Sequence, residues 1–88
     1  MKRYHIIFKG RVQGVGFRYT SKYIADDYSL TGTVENLSDG NVEMFVQGNE
    51  SDIDSMIKEI SKQRFIRIDS FDKSEVDVVD ESHFRIIG

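Results

Sequence analysis

The segment GRVQGVGFR at residues 10–18 brings together three glycines and two arginines and contains no acidic residue. Gly14 and Gly16 permit backbone conformations that other residues avoid, so successive N–H groups can converge on one point. Such a concavity binds anions, and binds them more strongly where it leads into the partially positive N-terminus of a helix. The segment therefore predicts a binding site for an anion the size of a phosphate group.

Arg18 lies in the predicted first turn of the helix that follows these glycines. A cation is locally unfavourable there because the N-terminus of a helix is itself partially positive. An anion between the loop and the arginine removes this conflict, and a guanidinium can bind two oxygens of one phosphate. The alternative interpretation is a tight strand-to-helix turn in which Arg18 points into water.

Two common phosphate-binding motifs are excluded by the residues after Gly16. A Walker A motif requires Lys and then Ser or Thr after its last glycine, whereas this sequence has Phe17 and Arg18. The dinucleotide fingerprint requires a further glycine at the next position of its pattern, where this sequence has Tyr19. The loop is thus predicted to hold phosphate without a nucleotide motif.

Alternating and helical patterns of apolar residues predict the elements that position this loop. Tyr4, Ile6, Phe8 and Val12 alternate along the first strand, and glycine-containing SDGN predicts a hairpin turn. The predicted elements are a strand over 3–12, a helix over 17–28, a strand over 30–37, a turn at 38–41, a strand over 42–48, a helix from Glu50, a fourth strand from FIRIDSF (65–71) and EVDVV (75–79) with a break between them, and a short final strand in HFRIIG (83–88).

This βαββαβ order with a short extra C-terminal strand predicts an α+β protein with the ferredoxin-like sandwich fold. Two helices are expected on one face of an antiparallel sheet. The first helix returns the chain, so strands one and two run in the same direction and end at the same edge. The glycine loop and Asn36, which lies near the end of strand two, should therefore be neighbours in space.

Length and composition bound the class of protein. The 88 residues are expected to form one domain over 1–88, and 12 basic against 15 acidic residues give a net charge of −3. This balance argues against nucleic-acid and membrane partners, both of which attract basic proteins. His5 and His83 have no clustered partners and cysteine is absent, so no metal site is predicted. We expect a cytoplasmic monomer.

Two segments together resemble the signature sequences of the acylphosphatase family. These are GRVQGVGFR (10–18) and GTVENLSDGNVE (32–43), and the resemblance extends to QGNE (47–50) and HFRI (83–86). The resemblance implies a small cytosolic enzyme that hydrolyses the carboxyl–phosphate bond of acyl phosphates without metal or cofactor. It leaves open which acyl phosphate is the substrate. Inorganic phosphate would be the product or an inhibitor.

The resemblance also implies roles for individual residues. Arg18 would bind the phosphate and Asn36 would position the attacking water. The phosphate would also be held by the backbone amides of Gln13, Gly14, Val15, Gly16, Phe17 and Arg18. The sequence departs from the common family pattern at Thr33, Glu35 and Ser38. These departures concern affinity and substrate preference more than reaction type.

Two other functions compete with hydrolysis. The first is a non-catalytic module of the same fold that binds phosphate or another small anion. The second is a single-stranded RNA binder, which often has the same order of elements. The basic-aromatic consensus of such RNA binders is missing from strand three, which reads NVEMFVQG, and the acidic balance also opposes it.

Overall fold

The computed structural model describes residues 1–88 as five strands and two helices. The elements are β1 (Lys2–Arg11), α1 (Phe17–Asp27), β2 (Thr31–Asn36), β3 (Val42–Gly48), α2 (Glu50–Ser61), β4 (Arg67–Val76) and β5 (Phe84–Ile87). They form one sheet in the order β4-β1-β3-β2-β5. The predicted ferredoxin-like α+β fold is confirmed.

The terminal strand departs from the expected antiparallel sheet. The four longer strands pair antiparallel, whereas β5 pairs parallel to β2, from Gly32 opposite Phe84 to Glu35 opposite Ile87. Residues 77–83 connect the two edges of the sheet, and their Glu81 binds Arg3 of β1 at 2.8 Å. Because this connection stays at one end of the sheet, β5 begins where β2 begins and runs the same way.

The predicted break in the fourth strand is wrong, because β4 is continuous over Arg67–Val76. The polar residues in the middle of β4 are accommodated because β4 lies at the edge of the sheet. Lys73 covers the ring of Tyr4 at 4.2 Å from the ring centre and pairs with Asp54 at 3.0 Å. The irregularity lies earlier, where Asp69 is an extra residue opposite the Lys9–Gly10 step of β1.

The core lies between the sheet and the two helices. The alternation predicted for β1 is confirmed, since its even-numbered apolar residues are buried. The apolar stripe of α2 is buried as well, namely Ile53, Met56, Ile57 and Ile60. In α1, the polar residue Ser21 is also buried. The Ser21 hydroxyl donates to the carbonyl oxygen of Phe17 at 2.8 Å, which satisfies its polar group inside the core.

Candidate active site

A cavity of about 110 Å³ lies at the end of the sheet where β1 and β2 both stop. The two strands run in the same direction because each pairs antiparallel with β3. The cavity is lined by the glycine loop, the first turn of α1 and the last residue of β2, namely Val12, Gly14, Gly16, Phe17, Arg18, Tyr19 and Asn36. The expected proximity of the loop and Asn36 is therefore found.

The glycine loop reaches the helix through two left-handed residues. Gly14 has φ +71° and Gly16 has φ +80°, a region that other residues enter only with strain. Apart from the adjoining residues, no protein atom lies within 4 Å of the place a Cβ would occupy at either position, so the glycines serve conformation rather than close packing. Gly16 is also the residue that precedes α1, and no side chain caps the helix there. The first amides of α1 thus lack a side-chain acceptor.

Arg18 is the one charged residue that lines the cavity. Its side chain is half-buried, and its Nη1 donates to the backbone oxygen of Gly88 at 2.9 Å. No Asp or Glu side chain lies within ion-pair distance of its guanidinium. The guanidinium is therefore held in place without an acidic side-chain partner, which suits an anion-binding group.

Asn36 faces the cavity from the other side. Its Oδ1 is buried and has no hydrogen-bond partner within the protein. Such a group is rare in folded proteins, because an unpaired buried acceptor costs about 1–3 kcal/mol. No other buried side-chain nitrogen or oxygen in this chain is unpaired in this way. The lining of the cavity thus includes a cation, the open end of α1 and an asparagine whose buried oxygen has no partner within the protein.

The side chain of Gln13 joins the two halves of this site. Its Nε2 donates to the carbonyl oxygens of Leu37 at 2.7 Å and Asn41 at 2.8 Å, both in the turn after β2. These bonds fix the glycine loop against the segment that carries Asn36. Sequence reasoning considered only the backbone amide of Gln13, and no local signal marks the role of its side chain.

The six residues expected to contribute amides are not equally placed. Gly14, Gly16, Phe17 and Arg18 line the cavity, whereas Gln13 and Val15 do not. Val15 is partly buried and packs against the hydrophobic core. The Phe17 ring is likewise buried, with its centre 5.0 Å from that of Phe8, so the loop is anchored from below by apolar contacts.

Comparison with known proteins identifies the family. A model of the acylphosphatase family matches residues 4–86. This chain belongs to the acylphosphatase family. The acylphosphatase of Clostridium acetobutylicum is 40% identical over 89 residues, which cover 99% of this chain and 98% of that protein. The acylphosphatase of Geobacillus kaustophilus is 46% identical over 89 residues, covering 99% of this chain and 95% of that protein.

The fold of a solved acylphosphatase agrees with this assignment. The crystal structure of acylphosphatase from Bacillus subtilis matches with a TM-score of 0.91 and 34% identity over 100% of both chains. Because relatives of nearly the same length carry the name of an enzyme, the prediction that this chain is an enzyme of the acylphosphatase family is confirmed.

The histidines of this acylphosphatase-family chain lie outside the cavity. His5 Nε2 is 2.8 Å from Glu43 Oε2, on strands β1 and β3, and His83 precedes β5. No group of three or more His, Cys, Asp or Glu residues is arranged to hold a metal ion. Neither helix has the length and apolar character needed to cross a membrane.

Proposed function

We propose that this protein hydrolyses acyl phosphates to a carboxylate and inorganic phosphate without a metal ion. The observation that carries the proposal is that one cavity is lined by an arginine without an acidic side-chain partner, by the uncapped end of α1 and by Asn36, whose buried oxygen is unpaired. Simple phosphate capture needs the first two groups but has no use for the third. A water molecule that must be aimed at the phosphorus does need it.

The phosphate is bound by the glycine loop in this proposal. Backbone amides among the cavity-lining residues Gly14, Gly16, Phe17 and Arg18, together with the Arg18 guanidinium, donate to its non-bridging oxygens, where charge develops in the transition state. The supporting observations are the left-handed glycines and the lack of a side-chain cap on α1. Gly88 and Gln13 act as positioning residues, the first through Arg18 and the second through the turn after Asn36.

Asn36 positions the nucleophile in this proposal. Its Oδ1 accepts a hydrogen bond from water, which points a lone pair of that water at the phosphorus. The water oxygen bonds to phosphorus as the bond from phosphorus to the acyl oxygen breaks, and the acyl oxygen leaves as a carboxylate. The proton of the water passes to a phosphate oxygen or to solvent, because a carboxamide is not a base at neutral pH.

The reaction makes no further demand on the protein. The leaving carboxylate has a conjugate acid of pKa about 4–5, like that of Asp and Glu side chains, so it departs without a general acid. Phosphoryl transfer needs positioning and charge stabilisation more than covalent help. The residues that line the cavity include no histidine, aspartate or glutamate, which fits a reaction without acid–base residues.

The test is hydrolysis of acetyl phosphate followed by ³¹P NMR in the presence of EDTA. We expect the native protein to turn over, and Arg18→Ala to lower kcat/KM by about 10²–10³-fold, the scale of one lost oxyanion donor. Arg64→Ala is the matched control, because Arg64 is exposed, does not line the cavity and has its guanidinium over the neighbouring ring of Phe65. Circular dichroism checks that each variant is folded.

The alternative, a non-catalytic module that binds small anions, predicts a different outcome. Inorganic phosphate would then raise the Tm of the native protein but not of Arg18→Ala, while acetyl phosphate would remain intact. That result would replace the proposed hydrolase by a binding module. Turnover that disappears with EDTA would instead contradict the metal-independent chemistry.

A further inference from the structure

A second and larger hollow adjoins the candidate active site. It is a groove of about 700 Å³ between α1 and β5, lined by Tyr19, Lys22, Tyr23, Asp26, His83, Phe84, Arg85 and Ile86. Its size lies within the range of about 300–1,000 Å³ that is usual for small-molecule sites. The proposed hydrolysis uses none of these residues.

The groove begins at the phosphate cavity. Tyr19 lines both hollows, and it lies in the first turn of α1 directly after Arg18. β5 runs parallel to β2, so its last residues lie at the same end of the sheet as Asn36. The groove therefore leads away from the cavity along the seam of α1 and β5, towards Asp26 and His83.

The chemistry of the groove favours an apolar occupant. Tyr19 and Tyr23 are 65% and 74% exposed on one wall, and buried Phe84 with partly buried Ile86 forms the opposite side. Lys22 is already occupied, because its Nζ binds Asp26 at 3.1 Å and the carbonyl oxygen of Phe84 at 3.0 Å. Two exposed aromatic rings beside an apolar floor suit a flat ring that buries their surface.

We infer that this groove binds the acyl group of the substrate and selects acyl phosphates with an extended aromatic acyl group. The inference rests on the proposed function, because a single acyl phosphate would place its phosphate in the cavity and its acyl group in the groove. With phosphate beside Arg18 and water beside Asn36, in-line displacement places the leaving carboxylate on the side of the phosphorus opposite the water. Tyr19 lines the cavity, so the acyl group can leave the cavity past Tyr19. Tyr23 is then a specificity-determining residue.

The spacing of residues along α1 sets the length of the acyl group that the test requires. Tyr19 and Tyr23 are one turn apart, which corresponds to about 6 Å along the helix axis. A single ring attached to the carboxyl carbon is therefore expected beside Tyr19, whereas a second ring joined at its para position extends towards Tyr23. Acetyl phosphate reaches neither side chain.

The experiment compares kcat/KM for acetyl, benzoyl and 4-phenylbenzoyl phosphate. We expect the native protein to prefer the longer acyl groups. Tyr23→Ala should lower kcat/KM about tenfold for 4-phenylbenzoyl phosphate, mainly through KM, and should leave the values for benzoyl and acetyl phosphate near those of the native protein, because neither acyl group reaches Tyr23. Tyr23→Phe keeps the ring and should restore most of the loss. Phe65→Ala, which removes an aromatic ring of similar exposure outside the groove, should leave the three values in their native ratio.

Two outcomes would overturn the inference, and they separate it from the proposed function. If the native protein hydrolyses all three substrates but Tyr23→Ala lowers the three values equally or not at all, the groove does not hold the acyl group and the hydrolase proposal stands. If the native protein hydrolyses none of the three, the proposed function fails first.

Discussion

The N-termini of the two helices differ in whether a side chain caps their free backbone amides. Each helix begins with amides that have no partner within the helix. In α2 the Oδ1 of Asn49 accepts from the backbone N–H of Ser51 at 2.9 Å, and Glu50 and Asp52 lie in the first turn. In α1 the preceding residue is Gly16, no side chain caps the helix, and the first turn contains no acidic residue.

Two asparagines, Asn49 and Asn36, show the same difference in their hydrogen bonding. Asn49 satisfies its oxygen locally, whereas the buried oxygen of Asn36 has no partner in the protein. The chain closes α2 with a cap and acidic residues, whereas it leaves α1 open beside an unpaired acceptor. In the proposed mechanism the unsatisfied polar groups bind substrate and water, and the satisfied ones stabilise the fold.

Removing the open asparagine tests this contrast with the largest expected effect. Asn36→Ala should lower kcat for acetyl phosphate about 10²-fold, the scale of one lost positioning hydrogen bond in a transition state. Its free energy of unfolding should not decrease, because the substitution removes a buried acceptor whose lack of a partner costs about 1–3 kcal/mol. Urea unfolding measured beside the kinetics distinguishes the two effects. A large loss of stability would mean that Asn36 is structural.

Removing the capping asparagine should give the reverse result. Asn49→Ala should destabilise the protein by about 1 kcal/mol, the usual cost of losing an N-cap. The kinetics with acetyl phosphate should be unchanged in the folded protein, because Asn49 contributes nothing to the cavity. Asn49→Ser keeps a capping oxygen and is the control that should restore stability. Reduced turnover in Asn49→Ala at a temperature where it is folded would break the contrast.

The smallest expected effect concerns the first residue of α2. The hydroxyl of Tyr4 donates to the Glu50 carboxylate, which lies beside Lys2. This hydrogen bond, followed by the charge of Lys2, holds the pKa of Glu50 below its ordinary value of 4.5. The same bond is the main reason that the pKa of Tyr4 is raised from 10.0 to about 12.

Both shifts predict the pH range over which this contact stabilises the fold. A lowered carboxyl pKa contributes stability that is lost as pH falls below the ordinary value of 4.5, and a raised phenol pKa contributes stability that is lost as pH rises from 10.0 towards about 12. The native protein should therefore have a slightly higher Tm than Tyr4→Phe. This Tm difference should be largest between pH 4.5 and pH 10.0 and should decrease at lower and at higher pH. A difference that does not vary with pH would show that the hydroxyl acts by packing alone.

Much of the fold follows from local patterns in the sequence. The alternation from Tyr4 to Phe8 and the apolar stripe of α2 fix which faces are buried, because the periods of strands and helices are set by backbone geometry. Gly14 and Gly16 likewise indicate that the backbone before α1 adopts conformations that other residues avoid. The break expected in β4 was wrong because polar residues in an edge strand find partners, as Lys73 does in Asp54, that the local sequence does not reveal.

The sequence by itself determined the elements, the glycine loop and the presence of an arginine at the start of α1. Only the tertiary structure decided that Gln13 ties the loop to the turn after β2, that Arg18 is held by Gly88, and that the oxygen of Asn36 is left unpaired. The bonds of Gln13 to Leu37 and of Arg18 to Gly88 join residues 24 and 70 positions apart. Short-range periodicity records the conformation of a segment, but the partners of a side chain depend on which distant segments the packed sheet brings beside it.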